Sequence, residues 1–263
     1  MDGLEAELER ARDLEVDTLA DAIESIGFEC TRCGACCKGY YPEDSHEGED
    51  DTDTASDRRQ DEDATKKEPH TATVFPDEVR DLIDAAGAEG EREEYDWRDV
   101  ARPMPYGLSE DAEGNPVGET FEWALQTDDC GDCTFYRETD GRGSCTVHED
   151  RPLVCRTYPF SVALGGTSQP MGEAVDESGM VRAHECEGLG REIDRADAKS
   201  LADALKRRAV RELEESIAVR EAYDPTVRAR GHEEADGGPD VVVFDSEGPK
   251  RADGTPIEKT NEG

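Results

Sequence analysis

Phe28-Glu29-Cys30-Thr31-Arg32-Cys33-Gly34-Ala35-Cys36-Cys37 packs four thiols into eight residues. Such a density has few physical uses. Free thiols oxidise, disulfides do not join neighbours this close without strain, and adjacent thiolates repel unless a cation holds them. The stretch therefore predicts a bound metal or an iron-sulfur cluster, with the fold built around it. Cys30, Cys33 and Cys36 read C-x2-C-x2-C, the spacing by which a loop wraps three corners of a [4Fe-4S] cluster while a fourth ligand comes from elsewhere. The side chain of Cys37 is expected to point away from that of Cys36, toward a second metal or a bridging position. All-thiolate zinc fits as well, with knuckles at Cys30/Cys33 and Cys130/Cys133 pairing into a tetrahedral site.

The remaining cysteines lie in Cys130-Gly131-Asp132-Cys133-Thr134-Phe135-Tyr136, in Cys145-Thr146-Val147-His148-Glu149-Asp150-Arg151-Pro152-Leu153-Val154-Cys155-Arg156-Thr157-Tyr158-Pro159-Phe160, and in Glu185-Cys186-Glu187-Gly188-Leu189-Gly190. Surface acid avoids them. Residues 28–41 sum to +1 and residues 130–160 to -1 in a chain of net charge -37. Arg32, Lys38, Arg151 and Arg156 stand within a few residues of thiols, where positive charge lowers thiolate pKa values and balances an anionic metal-thiolate centre. Arg151 and Arg156 are thus candidate cofactor-binding residues, the competing reading being that they pair with nearby acids. His148 and His184 are expected to pack or face solvent, and His46, His70 and His232 to lie in loops.

Taken in order, Cys30-x2-Cys33-Gly34-x-Cys36-Cys37, Cys133-x-Phe135, Cys145-x-Val147-His148-x2-Arg151-Pro152-x2-Cys155-Arg156-x-Tyr158-Pro159-Phe160 and Cys186-x-Gly188-x-Gly190 resemble the YkgJ-type cysteine-cluster family, the CxxCxxCC zinc- or iron-chelating domain. The resemblance runs from Phe28 to Gly190. It implies eight metal-ligating cysteines, Cys30, Cys33, Cys36, Cys37, Cys133, Cys145, Cys155 and Cys186, with zinc or an iron-sulfur cluster as cofactor. Cys130 departs from the family pattern, and His148 stands where the family often has Tyr.

Composition bounds the rest. Only 34% of the 263 residues are hydrophobic and 37% are charged, so the core is modest. A net charge of -37 argues against nucleic acid and acidic membranes as partners, because both would repel the chain. Acid spread along the whole sequence is the surface expected of a halophilic protein. The start of the chain lacks a basic and apolar leader, and no window is apolar enough to span a bilayer, so the expected location is cytoplasmic. Nine cysteines in a reducing compartment favour metal or redox chemistry over a disulfide scaffold, and the odd count leaves at least one thiol unpaired.

Along the chain, residues 1–27 predict a helical lead-in, as one amphipathic helix or two short ones with Gly27 as stop. Residues 28–190 form the cysteine-cluster domain, interrupted at 43–70 by an acidic insertion whose composition predicts disorder. Within the domain, Thr71–Phe75 reads as a short apolar stretch. Pro76-Asp77-Glu78 open a helix. Trp97 and Val100 mark another short one. Thr120–Gln126 alternates like a half-buried strand. Residues 191–230 carry a long amphipathic helix, about Asp194 to Ala222, with a plain solvated charged face. Residues 231–263 read as a flexible acidic tail with one edge strand, Val241 to Phe244. The expected class is α+β, a small metal-stabilised domain with flanking helices and a few short strands. Three functions follow: a metal-thiolate protein in a structural or electron-transfer role, a cluster-dependent redox or methyl-transfer enzyme, or a delivery partner docking on another protein through the acidic insertion.

Overall fold

The N-terminal apolar periodicity resolves into two helices, α1 (Leu4–Arg12) and α2 (Val16–Ile26), in the computed structural model, which describes residues 3–40, 67–89, 94–164, 172–175, 179–230 and 238–258. Gly27 stops α2 as expected: at φ +73° its amide bonds the Ile23 carbonyl at 2.8 Å, and a Cβ there would lie 2.1 Å from the Arg191 carbonyl oxygen.

Past the first cysteines come β1 (Thr73–Val74) and α3 (Pro76–Glu89), then α4 (Trp97–Val100) running into β2 (Ala101–Pro103). Asp96 caps α4 in a capping box with Asp99, satisfying two amides of the first turn. Next are β3 (Leu108–Glu110), β4 (Pro116–Thr120), β5 (Trp123–Leu125) and the hairpin β6 (Tyr136–Thr139) with β7 (Arg142–Cys145). The chain closes with α5 (Leu153–Thr157), β8 (Phe160–Val162), β9 (Glu173–Ala174), β10 (Val181–Ala183), α6 (Arg195–Ala222), β11 (Val241–Asp245) and β12 (Gly248–Arg251). Helices and several small sheets together make the expected α+β class. The sheets order as β1-β5-β2, β8-β10-β9, β12-β11-β4-β3 and β6-β7.

Two main cores result. Ala11, Leu19 and Ile23 of α1 and α2 pack on Ala198, Ala202 and Leu205 of α6, and Phe160 and Val181 of the β8-β10 sheet close that core. The alanines let the helices approach closely. Asp194 caps α6 by accepting the Asp197 amide at 2.9 Å. The second core joins Val79 and Leu82 of α3 to Val100, Trp123, Leu125, Phe135, Val147 and Val243.

Four local expectations need correction. Thr120–Gln126 is not one alternating strand: Thr120 ends β4, Phe121 is half exposed, and Trp123–Leu125 is buried throughout because β5 sits between β1 and β2. Val241–Asp245 is not an edge strand in a flexible tail. It lies inside its sheet, parallel to β4 and antiparallel to β12, with all five residues buried. An unbroken Val-Val-Val-Phe run is what covering both faces demands, and Asp245 at its end accepts Trp123 Nε1 at 2.8 Å and the buried Lys250 ammonium. Residues 67–70 belong to the framework, since Tyr40 and Glu68 exchange backbone hydrogen bonds of 2.9 and 2.7 Å. The remainder of the insertion, 43–66, lies outside the described residues. The charged face of α6 is not plain solvated surface: Arg195 meets Asp17, Asp21 and Glu24 of α2, Arg211 meets Asp77 of α3, and Arg208 donates to Thr157 Oγ1 at 3.0 Å and to the Phe160 carbonyl at 3.3 Å. Among the described residues no helix is long and apolar enough to cross a membrane.

Candidate metal centre

Backbone hydrogen bonds, supported by a few side chains, bring the cysteine segments together. Gly34 takes a left-handed conformation at φ +77° and starts the short 3-10 turn Ala35–Cys37, closed by the Cys37 amide on the Gly34 carbonyl at 2.9 Å. A Cβ at Gly34 would fall 2.3 Å from the Tyr136 hydroxyl, so the loop packs directly on the β6-β7 hairpin. The Gly143 amide donates to the Arg32 carbonyl at 2.7 Å and the Cys133 amide to the Cys37 carbonyl at 2.8 Å. Cys145 ends β7 opposite Tyr136, and Cys155 sits in α5, whose first amide, Leu153 N, is held by the Glu78 carboxylate at 2.8 Å. Burial pushes that carboxyl's pKa up, with the two amide hydrogen bonds opposing.

Cys186 arrives by the same device. Glu29 N donates to the Gly188 carbonyl at 3.0 Å and Gly190 N to the Gly27 carbonyl at 3.1 Å, so the Gly188-x-Gly190 stretch lies antiparallel against residues 27–29. The Gly188 amide points 3.4 Å from Cys186 Sγ, and a Cβ on Gly188 would lie 2.4 Å from the Glu29 carbonyl oxygen.

Packing divides the eight cysteines four and four. Cys133 is buried in the second core, and Cys37, Cys145 and Cys155 are packed against it. Cys30 and Cys36 are exposed, Cys33 and Cys186 half-buried, and none of these four belongs to either core. Electrostatics divide the inner set (Cys37, Cys133, Cys145 and Cys155) from the outer one (Cys30, Cys33, Cys36 and Cys186) less cleanly. Burial raises the Cys133 thiol to about 12 and pushes Cys155 and Cys145 up, and the charges of neighbouring thiols within the inner set raise Cys133 and Cys155 further. Cys186 is raised by burial and by Cys33, Cys36 and Cys30. Cys36 acts on both sets. Contrary to the expectation that adjacent cysteines point apart, its sulfur is 3.8 Å from that of Cys37, because the 3-10 turn brings the two side chains together, and this contact brings Cys36 down to about 7 while driving Cys37 up. The pair gives up one proton readily and holds the other. Among the described residues no three His, Cys, Asp or Glu side chains converge closely enough to hold a metal ion as they stand, so the groups present a donor set without closed ligand geometry. The donor chemistry itself, clustered thiols beside a fixed positive charge, suits zinc or iron.

Arg151 is that charge: it helps to lower Cys36 and partly opposes the burial that raises Cys145 and Cys155, and its Nε donates to the His148 carbonyl at 2.9 Å. Arg156 serves the backbone, donating to the Glu149 carbonyl at 2.9 Å and to the Arg151 carbonyl. Cys130 stands apart in the exposed turn Asp128–Asp132, where its amide bonds Asp128 Oδ1 at 2.9 Å. His148 is exposed beside Glu149, and His184 stacks on Tyr158. His70 lies in a loop as expected, half-buried there, and burial lowers its pKa to about 4. Sequence reasoning gave no role to Tyr158, whose hydroxyl donates to the Glu185 carbonyl at 2.9 Å and so ties the Cys155 segment to that of Cys186. Nor did it see Asp132, which accepts from Gly39 N at 2.9 Å and pairs with Lys67 at 2.6 Å. Its Asp128-x-Cys-Gly-Asp132 context was a readable Asx-turn signal.

A thiol-rich α+β domain assembled from four separated cysteine motifs defines a metal-chelating class. The model of the CxxCxxCC family, described as "Putative zinc- or iron-chelating domain", matches residues 29–187, and the chain belongs to that family. Neither the curated proteins nor the solved structures compared with the chain gave a match.

Proposed function

We propose that the chain holds two four-thiolate centres of zinc or iron-sulfur type, an inner one on Cys37, Cys133, Cys145 and Cys155 and an outer one on Cys30, Cys33, Cys36 and Cys186. The four-and-four division by packing carries this reading. The inner set packs on a hydrophobic core with Cys133 inside it, where bound metal would contribute folding free energy, as structural thiolate sites do. The outer set reaches solvent, which suits electron transfer or exchange with a partner protein. Arg151 offsets anionic charge at the boundary, and Arg156 positions the loop that presents it. All nine cysteines are free thiols and so available as ligands.

Anaerobic purification with metal analysis and an absorption spectrum tests this. Broad visible absorbance identifies iron-sulfur, whereas a colourless protein with stoichiometric zinc identifies zinc thiolate. Metal-free protein that keeps its folded stability would refute the reading.

A further inference from the structure

The outer cysteine loop borders a concavity of about 410 Å³ lined by Glu29, Cys30, Thr31, Arg32, Arg142 and Arg191. Three arginines therefore line one hollow in a chain with 67 acids against 30 Lys and Arg. Arg195, by contrast, is surrounded by Asp17, Asp21 and Glu24. Here one carboxylate lines the hollow, Glu29, 4.0 Å from Arg191, with Glu187 at the rim against Thr31. Among the described residues Arg32 and Arg142 make no ion pair. The backbone adds a second, independent sign. Arg32 sits at φ +59°, a conformation costly for a side chain with a Cβ, and the Gly143 amide pins its carbonyl at 2.7 Å, which also fixes the strand bearing Arg142.

The geometry points to a binding site for a small multivalent oxyanion, a phosphate or dicarboxylate group, held by Arg32, Arg142 and Arg191 against the Cys30 edge of the outer thiol set. Guanidinium forks match the paired oxygens of both groups, and a hollow of this size admits a small metabolite but no folded partner. The site stands on the arginines and does not depend on metal occupying the thiols.

The test is titration of inorganic phosphate, and separately of succinate, into the protein as purified at fixed ionic strength, followed by calorimetry. Metal content is measured on the same samples. Wild type should bind at least one of the two anions, and Arg142→Gln and Arg191→Gln should each weaken that binding about tenfold or more, with metal content unchanged. Arg98→Gln, which removes the same charge from an exposed arginine paired with Asp96, should bind like wild type. Preference between the probes distinguishes a phosphate from a carboxylate ligand. Binding of neither anion, equal binding by all variants, or weakening that tracks metal loss would overturn the assignment. Anion binding that survives in a protein found to hold no metal would leave this site standing and the metal reading fallen.

Discussion

The amide of Cys133 donates a 2.8 Å hydrogen bond to the carbonyl oxygen of Cys37. That bond joins the first cysteine loop to a segment almost a hundred residues later, and it sets Cys133, not Cys130, beside the other thiols. The β6-β7 hairpin and the Gly188 segment grip the same loop from two further directions through Arg32 and Glu29. Main-chain contacts therefore set the cysteine positions, and the Gly188 and Gly143 crossings leave little room for a side chain.

Gly188→Ala should expose this dependence. The new methyl would lie 2.4 Å from the Glu29 carbonyl oxygen, which is backbone and cannot rotate away. The variant should lose about 1–3 kcal/mol of stability. It should also shed metal from the outer set while the inner set keeps its own. Denaturant melts with metal analysis read both effects, and a variant with wild-type midpoint and metal content would contradict the packing described.

Excision of residues 43–66 should leave metal content unchanged. Tyr40 and Glu68 already form an antiparallel bridge, so a short Gly/Ser linker spans the gap, and shortening a loop costs little or favours folding. Lys67 must be retained for its ion pair with Asp132. Metal loss in the shortened protein would make the insertion part of the site.

Metal affinity should rise with pH, and binding should release protons. Burial raises Cys133 to about 12 and pushes Cys145, Cys155 and Cys186 above the ordinary 9.0, so these thiols are protonated near neutrality, whereas metal takes thiolates. Zinc titrations from roughly pH 6 to 8 in buffers of different ionisation enthalpy count the protons. In the metal-free protein the sign reverses. The unfolded chain gives up thiol protons above 9.0 that the folded chain retains, so stability should fall as pH climbs through and beyond that value. Alkaline stabilisation of the metal-free form would count against the raised thiols.

The thiol motif was legible because C-x2-C-x2-C spacing is local, and so were the helices, whose period is set by nearby residues such as Leu19, Ile23, Leu205 and Leu213. What escaped was decided at long range. Nothing near Val241 announces that β4 will lie beside it in parallel, and nothing near Phe121 shows that the chain changes sheets there. The division of the cysteines escaped for the same reason. Cys36 and Cys37 are adjacent in sequence, yet the core that covers Cys37 is built by Cys133, Phe135 and Val147. Acidic and basic residues on α6 looked like solvated surface because their partners, Asp17 and Asp77 among them, are far away in the chain.

The most direct test of the two-centre account is the metal-to-protein ratio of anaerobically prepared single variants. Cys130→Ser should keep full metal. Cys30→Ser and Cys186→Ser should lose only the outer complement and stay folded, whereas Cys133→Ser and Cys155→Ser should lose the inner complement and unfold at lower denaturant. Full metal content in Cys133→Ser, Cys155→Ser and Cys30→Ser alike, or loss in Cys130→Ser equal to theirs, would contradict it.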